Sequence, residues 1–322
     1  MKKIMLFCII AILTIITAAC GSDSSSEKTS GSTGSETKTE ESKVEEITIK
    51  HQLGETVVKQ NPEKVVVFDF GVLDTLDKLG VEVTGVPQMN IPTYLSKYAD
   101  SKYENVGGLK EPDFEKISEL SPDLIIISGR QQEAYEELSK IGPTIFMGLD
   151  ASKYMDSFTE NTKTLGQIFG KEEEVETELA SVETQINALK EKATASGKNG
   201  LIILANEGNL SAYGPASRFG VIHDVFGVAA ADEKIEVSQH GQTVSFEYIV
   251  EKDPDYLFVI DRGAAVGGQS SGQQTIENDL VKNTKAFKND NIVYLSPDFW
   301  YLSGGGLISV AEMVKEIEKG LE

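Results

Sequence analysis

Arginine is almost missing from this sequence: of thirty basic residues only Arg130, Arg218 and Arg262 carry a guanidinium. The others are lysines, whose compact ammonium cannot hold two oxygens side by side as a planar guanidinium does. Histidine is as scarce, with His51, His223 and His240 scattered along the chain, which argues against a zinc or manganese carrier built on imidazoles. Cysteine occurs twice, at Cys8 and Cys20, so a chain cleaved before Cys20 could form no internal disulfide even after export. Positive charge is in deficit overall. The formal net charge of −21 argues against a protein that tracks a nucleic-acid backbone, which needs clustered cations. There is no P-loop, no His-Glu-x-x-His and no cysteine cluster. Gly268-Gln269-Ser270-Ser271-Gly272 has the spacing of a serine-hydrolase elbow, but its Gly/Gln/Ser-rich surroundings lack the strand-turn-helix that such a nucleophile needs. These absences point to a binding protein, not an enzyme.

What is present is organised around a repeat. Phe114 to Arg130 (FEKISELSPDLIIISGR) and Phe246 to Arg262 (FEYIVEKDPDYLFVIDR) align without a gap, sharing Phe, Glu, Ile, Glu, Pro, Asp and the final Arg. Each copy reads as a short amphipathic helix, a Pro-Asp turn, a buried strand and an arginine just past the strand's end. One repeat is too few for a solenoid. It fits two similar α/β lobes, each with an arginine at the strand end where open α/β sheets bind ligands. Arg218 follows a strand and turn in the second lobe.

In chain order, residues 1–20 combine two lysines, an apolar run and small residues before Cys20, the pattern of a secretory signal peptide. Thr17-Ala18-Ala19-Cys20 is similar to the bacterial lipobox, which predicts lipidation of Cys20. Residues 21–45 are almost all Ser, Gly, Thr, Glu and Lys, too polar to bury a core, and read as a flexible tether. Several acyl chains would then hold the protein at a membrane surface, since one holds only weakly. The N-terminal lobe is expected over 46–170. Its strands are Ile47–His51, a second near Thr56, Lys64–Asp69, Val81–Val86, Leu124–Ser128 and Pro143–Met147, with helices at 72–79 and from about Gln132. Residues 171–197 contain no Gly or Pro before Gly197 and predict one long interlobe helix, a stiff spine. The C-terminal lobe, 198–322, begins with Gly200–Asn206 and Leu210–Tyr213. It continues through a helix after Arg218 and the second repeat to strand Ile292–Leu295 and a terminal helix from about Leu307.

Taken together, the lipobox, the tether, K-V-V-V-F-D, the doubled F-E-x-I-x-E-x-x-P-D and the spine resemble cluster III substrate-binding lipoproteins of ATP-binding-cassette importers. G-P-A-S-R-F-G, S-Q-H-G-Q, V-I-D-R-G and W-Y-L-S-G-G-G resemble the petrobactin-type, catecholate-siderophore group. The resemblance covers roughly residues 46–322. It implies two Rossmann-like lobes around a ligand cleft, a monomer with no intrinsic cofactor, and a ferric catecholate siderophore as the captured ligand. By position it implies that Arg130, Arg218 and Arg262 contact the siderophore. It also implies that His240 and Tyr301 can reach an iron left coordinatively unsaturated, and that Glu115 and Glu247 dock on the permease subunits. Trp300, beside Tyr301, is a further ligand-contact candidate, although tryptophan at such a place more often packs in a core. His223, on an amphipathic helix, reads as structural. A haem or cobalamin carrier would share the fold, with His240 or Tyr301 as axial ligand to haem. An extracellular enzyme or adhesion module is the rival of a different class.

Overall fold

The computed structural model describes residues 45–268 and 271–322. The expected signal segment, the Cys20 lipidation site and the tether up to residue 44 lie outside the described residues, as do Gln269 and Ser270 of the elbow-like motif.

Two strands, β1 (Glu46–His51) and β2 (Gly54–Lys59), form an antiparallel hairpin. The hairpin is tied to the first lobe where the Thr56 hydroxyl donates to the Thr144 carbonyl at 2.7 Å. That lobe carries five parallel strands: β3 (Val65–Val67), β4 (Gly85–Val86), β5 (Glu104–Asn105), β6 (Leu124–Ile127) and β7 (Thr144–Phe146), ordered β5-β4-β3-β6-β7. The strand direction of growth reverses between β3 and β6, and this switch point opens the crevice at the strands' carboxyl ends. β3 and β6 are apolar and buried at every residue, as strands covered on both faces must be.

The second lobe is mixed rather than parallel. Its strands are β8 (Asn199–Asn206), β9 (Asn209–Tyr213), β10 (Ala229–Ala230), β11 (Gln242–Val244), β12 (Tyr256–Asp261) and β13 (Ile292–Leu295). The order is β11-β9-β8-β12-β13, with β10 pairing the start of β8; β9 and β11 run antiparallel to their neighbours. In the chain, β7 and β8 are joined by a helix at Tyr154–Phe169 and the spine helix at Glu172–Ser196. Its 25 residues span about 37 Å at 1.5 Å each. Left-handed glycines end both helices, Gly170 at φ 60° and Gly197 at φ 62°, where a side chain would be strained.

The repeat is structurally real in both halves. Helices Phe114–Leu120 and Phe246–Lys252 end in left-handed residues, Ser121 and Asp253, and each buries its shared isoleucine, Ile117 or Ile249. The shared aspartates do equivalent work. Asp123 accepts from the backbone N–H of Lys64, just before β3, and Asp255 from that of Asn199, at the start of β8. Each thereby pins a repeat strand to the neighbouring parallel strand.

Some expected boundaries move. The strand expected over Lys64–Asp69 is Val65–Val67, because Asp69 turns out of it to cap the helix Phe70–Lys78 through Gly71 and Val72. The strand expected over Val81–Val86 is two residues long, since the N–H of Val81 is drawn back to the Leu76 carbonyl. The helix expected from Gln132 is a 3₁₀ turn, Gly129–Ala134, running into a helix at Tyr135–Ile141.

Candidate ligand-binding site

The segment Asp298–Gly306, which leads from β13 to the terminal helix Leu307–Gly320, lies against the first lobe. Glycines allow it to lie backbone to backbone on the first lobe. A Cβ at Gly306 would sit 2.4 Å from the Gly71 carbonyl oxygen, and one at Gly71 would sit 2.9 Å from that of Ser303. Polar contacts fasten the seam. The Thr93 N–H donates to Asp298 at 2.9 Å, and the Tyr154 hydroxyl donates to the Gly304 carbonyl at 3.0 Å. Asp74, wholly buried on helix Phe70–Lys78, accepts from the N–H groups of Ile308 and Ser309 at 2.7 Å each and from the Tyr94 hydroxyl at 2.9 Å. It therefore caps the terminal helix from the other lobe. Burial pushes its carboxyl up to about 7, against those three bonds, which favour the carboxylate.

All three arginines converge on Tyr301, in a widened helical turn at Asp298–Leu302. Arg130, after β6, donates from Nη2 to the Tyr301 carbonyl at 2.7 Å. Arg218 donates from Nη2 to the same carbonyl at 2.9 Å and stacks on the Tyr301 ring, its guanidinium carbon 4.4 Å from the centroid. Arg262, after β12, donates from Nε to the Tyr301 hydroxyl and from Nη1 to Asn206 Oδ1, both at 2.9 Å. The local turns hold the arginines in place. Gln131 accepts from the Ser128 N–H and donates to the Leu109 carbonyl, fixing the turn that carries Arg130. Before Arg218, Ala216 adopts φ 56° and its N–H bonds Asp224 at 2.7 Å.

Every acceptor these guanidinium groups find is neutral. Among the described residues each ion pair is made by lysine, none by arginine. Three half-buried positive charges thus stand together without counter-charge in a strongly acidic protein. Burial, and then the charge of Arg130, lower the pKa of Arg218. Burial pushes the Tyr301 phenol up, but the bond from Arg262 and the charges of Arg218 and Arg262 outweigh it, and the net shift is downward. The group is built to stabilise added negative charge.

The other candidates fall differently. Trp300 is corrected to a core residue: it is 3% exposed, its indole N–H donates to Glu316 at 2.7 Å, and its ring meets Phe226 edge-on. His240 is exposed in the turn before β11, and no hydrogen bond or ring contact among the described residues joins its imidazole to the arginine cluster. Its neighbour Gly241 is nearer: a Cβ there would lie 2.7 Å from the Tyr213 ring, which packs on Phe219 at 4.7 Å, beside Arg218. His223 is structural, with Nδ1 2.9 Å from the Val228 carbonyl oxygen. Glu115 and Glu247 are exposed in the first turns of the repeat helices, and among the described residues neither makes an ion pair. A groove of about 1180 Å³ between the helix Tyr154–Phe169 and the spine is lined by none of the arginines.

Sequence reasoning passed over Asn206, Tyr213, Tyr94 and Asp74. Asp74 left a signal, being an acid on the apolar stripe of V-L-D-T-L-D-K-L. Asn206 also did, as a polar residue closing a buried strand.

A fold of two α/β lobes that brings cationic forks from both lobes to one residue is that of a solute-binding protein. The chain belongs to the periplasmic binding protein family, whose profile matches residues 65–299. It is 55% identical over 326 residues, covering all of both chains, to the petrobactin-binding protein YclQ of Bacillus subtilis. The crystal structure of that protein superimposes with a TM-score of 0.85 over 86% of this chain and 99% of its own, at 58% identity. The catecholate-siderophore-binding protein VctP of Vibrio cholerae gives 0.82 at 38% identity, covering 85% of this chain and all of its own. The siderophore-binding protein BauB, solved with two molecules of acinetobactin and ferric iron, gives 0.80 at 33% identity, covering 86% and 99%.

Proposed function

We propose that this protein captures a ferric catecholate siderophore of the petrobactin type outside the cell and delivers it to the permease subunits of an ABC importer. The observation that carries this reading is the convergence of three uncompensated arginines on Tyr301. A hexadentate ferric complex of two catecholates and a hydroxycarboxylate is a trianion with its oxygens gathered round one metal. Three guanidinium forks suit both its charge and its shape. Bonds to charged groups contribute about 1.5–3 kcal/mol each, so three supply roughly 4–9 of the ~12 kcal/mol that nanomolar affinity requires. The 55% identity to a petrobactin-binding protein supports the same ligand class.

In this reading Arg130, Arg218 and Arg262 hold the siderophore, releasing the Tyr301 carbonyl and hydroxyl as they do so. Tyr301 and His240 complete the iron's coordination only when a tetradentate ligand leaves sites open; His240 would have to swing in with its turn. Cys20 carries the lipid anchor, residues 21–45 form the tether, and the lobes 46–170 and 198–322 flank the spine 171–197 in a monomer. Glu115 and Glu247 meet basic pockets on the two permease subunits, matching a pseudo-twofold surface to a twofold partner. Fluorescence quenching across ferric catecholates, ferric hydroxamates and haem tests the ligand class. The expected result is tight quenching by ferric petrobactin and none by haem. Preference for haem, with a Soret band on the loaded protein, overturns the reading.

A further inference from the structure

Arg262 differs from the other two arginines in having a side-chain acceptor on each flank. The Tyr301 hydroxyl takes Nε and the Asn206 carboxamide takes Nη1, each at 2.9 Å. This placement follows from the sheet: β12 and β8 are parallel neighbours with Asp261 opposite Ala205, so the next residues, Arg262 and Asn206, stand side by side at the carboxyl edge. An aspartate at 206 would have the same shape and bind the guanidinium more strongly, because a carboxylate adds the attraction of opposite charges to the hydrogen bond. The aspartate closest in sequence is committed elsewhere. Asp261 Oδ1 accepts from the Ala264 N–H and Oδ2 from the Gly272 N–H, capping one helix and holding the start of the next.

We propose that Asn206 is a positioning residue that aims the Arg262 fork while leaving its charge unspent, so that selection for a multiply charged anionic complex depends on residue 206 being neutral. The inference rests on the ligand reading above. A carboxylate at 206 would give Arg262 an internal counter-ion that an incoming ligand must displace. Loss of the side chain would leave Arg262 charged but unaimed.

The test compares Asn206→Asp and Asn206→Ala with wild type, using ferric petrobactin as probe. Both variants are expected to bind about ten- to hundredfold more weakly, the loss of one charge-assisted bond. Salt separates them. Affinity in the alanine variant keeps the wild-type dependence on ionic strength, whereas the aspartate variant shows a shallower one, since one cationic charge has been cancelled. A second readout needs no ligand: absorbance titration of the Tyr301 phenol, identified by subtracting a Tyr301→Phe background. In Asn206→Asp this phenol should ionise at higher pH than in wild type, and at higher pH than in Asn206→Ala, where Arg262 is unaimed but its charge is not cancelled. Wild-type affinity and salt dependence in Asn206→Asp overturn the proposal. If wild type fails to bind any ferric catecholate, the functional reading falls. The phenol titration still decides the inference, and an unmoved Tyr301 in Asn206→Asp refutes it.

Discussion

Replacing Asp74 by Asn should flatten part of the protein's pH–stability profile. The carboxyl is wholly buried between the lobes and is pushed from an ordinary 3.8 up to about 7, chiefly by burial. Groups facing it are the Tyr94 hydroxyl, the Ile308 and Ser309 N–H groups at the start of the terminal helix, and more distantly the Tyr154 phenol, which Asp74's charge helps push up. Between about pH 4 and 7 the folded protein keeps a proton that the unfolded chain has released. Stability contributed at this site is therefore full below pH 4, falls as pH rises through that window, and is level above it. At about 1.4 kcal/mol per pH unit, the loss from pH 5 to pH 8 comes to roughly 2–3 kcal/mol. Asn keeps one acceptor for the helix N–H groups but turns an amide N–H at the other, a cost of about 1–3 kcal/mol. The variant should thus be clearly less stable than wild type at pH 5 and close to it at pH 8. Urea midpoints at the two pH values, followed by the fluorescence of the single tryptophan, Trp300, measure this. Carboxylates with lowered pKa, such as Asp123 and Asp232, act in the opposite sense but equally in both proteins, so they cancel in the difference. Parallel pH profiles for wild type and variant would refute the reasoning.

Arg130→Lys, Arg218→Lys and Arg262→Lys should each weaken ferric petrobactin about tenfold or more, because the two-pronged fork is lost; three variants that titrate like wild type rule out the charge cradle. Tyr213→Phe should stabilise the protein by about 1–3 kcal/mol, because among the described residues nothing pairs with the buried Tyr213 hydroxyl; a lower melting temperature in the variant contradicts this. His240→Ala and Tyr301→Phe should cost more affinity for a tetradentate ferric catecholate than for a hexadentate one, and equal losses count against iron coordination by these side chains. Glu115→Gln combined with Glu247→Gln should leave siderophore affinity intact and abolish most uptake in cells; uptake at the wild-type rate reduces both glutamates to helix-end charges that complement the macrodipole.

Much of the architecture was legible because it is specified locally. The shared Phe, Ile, Pro and Asp of the two repeats dictate helix, turn and strand within seventeen residues, and the arginine after each strand follows from where the strand ends. The absence of Gly and Pro from Lys171 to Ser196 was enough to mark the spine. Local patterns misjudged strand lengths where a neighbouring element competes for the same backbone, as Asp69 and Val81 do. Trp300 and Tyr301 are adjacent in sequence, yet the widened turn buries one against Phe226 and presents the other to three arginines. Only the tertiary structure decided that. It also decided that Asp74 caps a helix more than two hundred residues away, and that Asn206 rather than a carboxylate holds Arg262. Such pairings are contacts between distant segments, and no periodicity records which ones will meet. The sequence determined that three arginines would stand at the ends of strands and turns in two lobes; the packing of Asp298–Gly306 between those lobes determined that all three would point at one tyrosine with their charge unpaired.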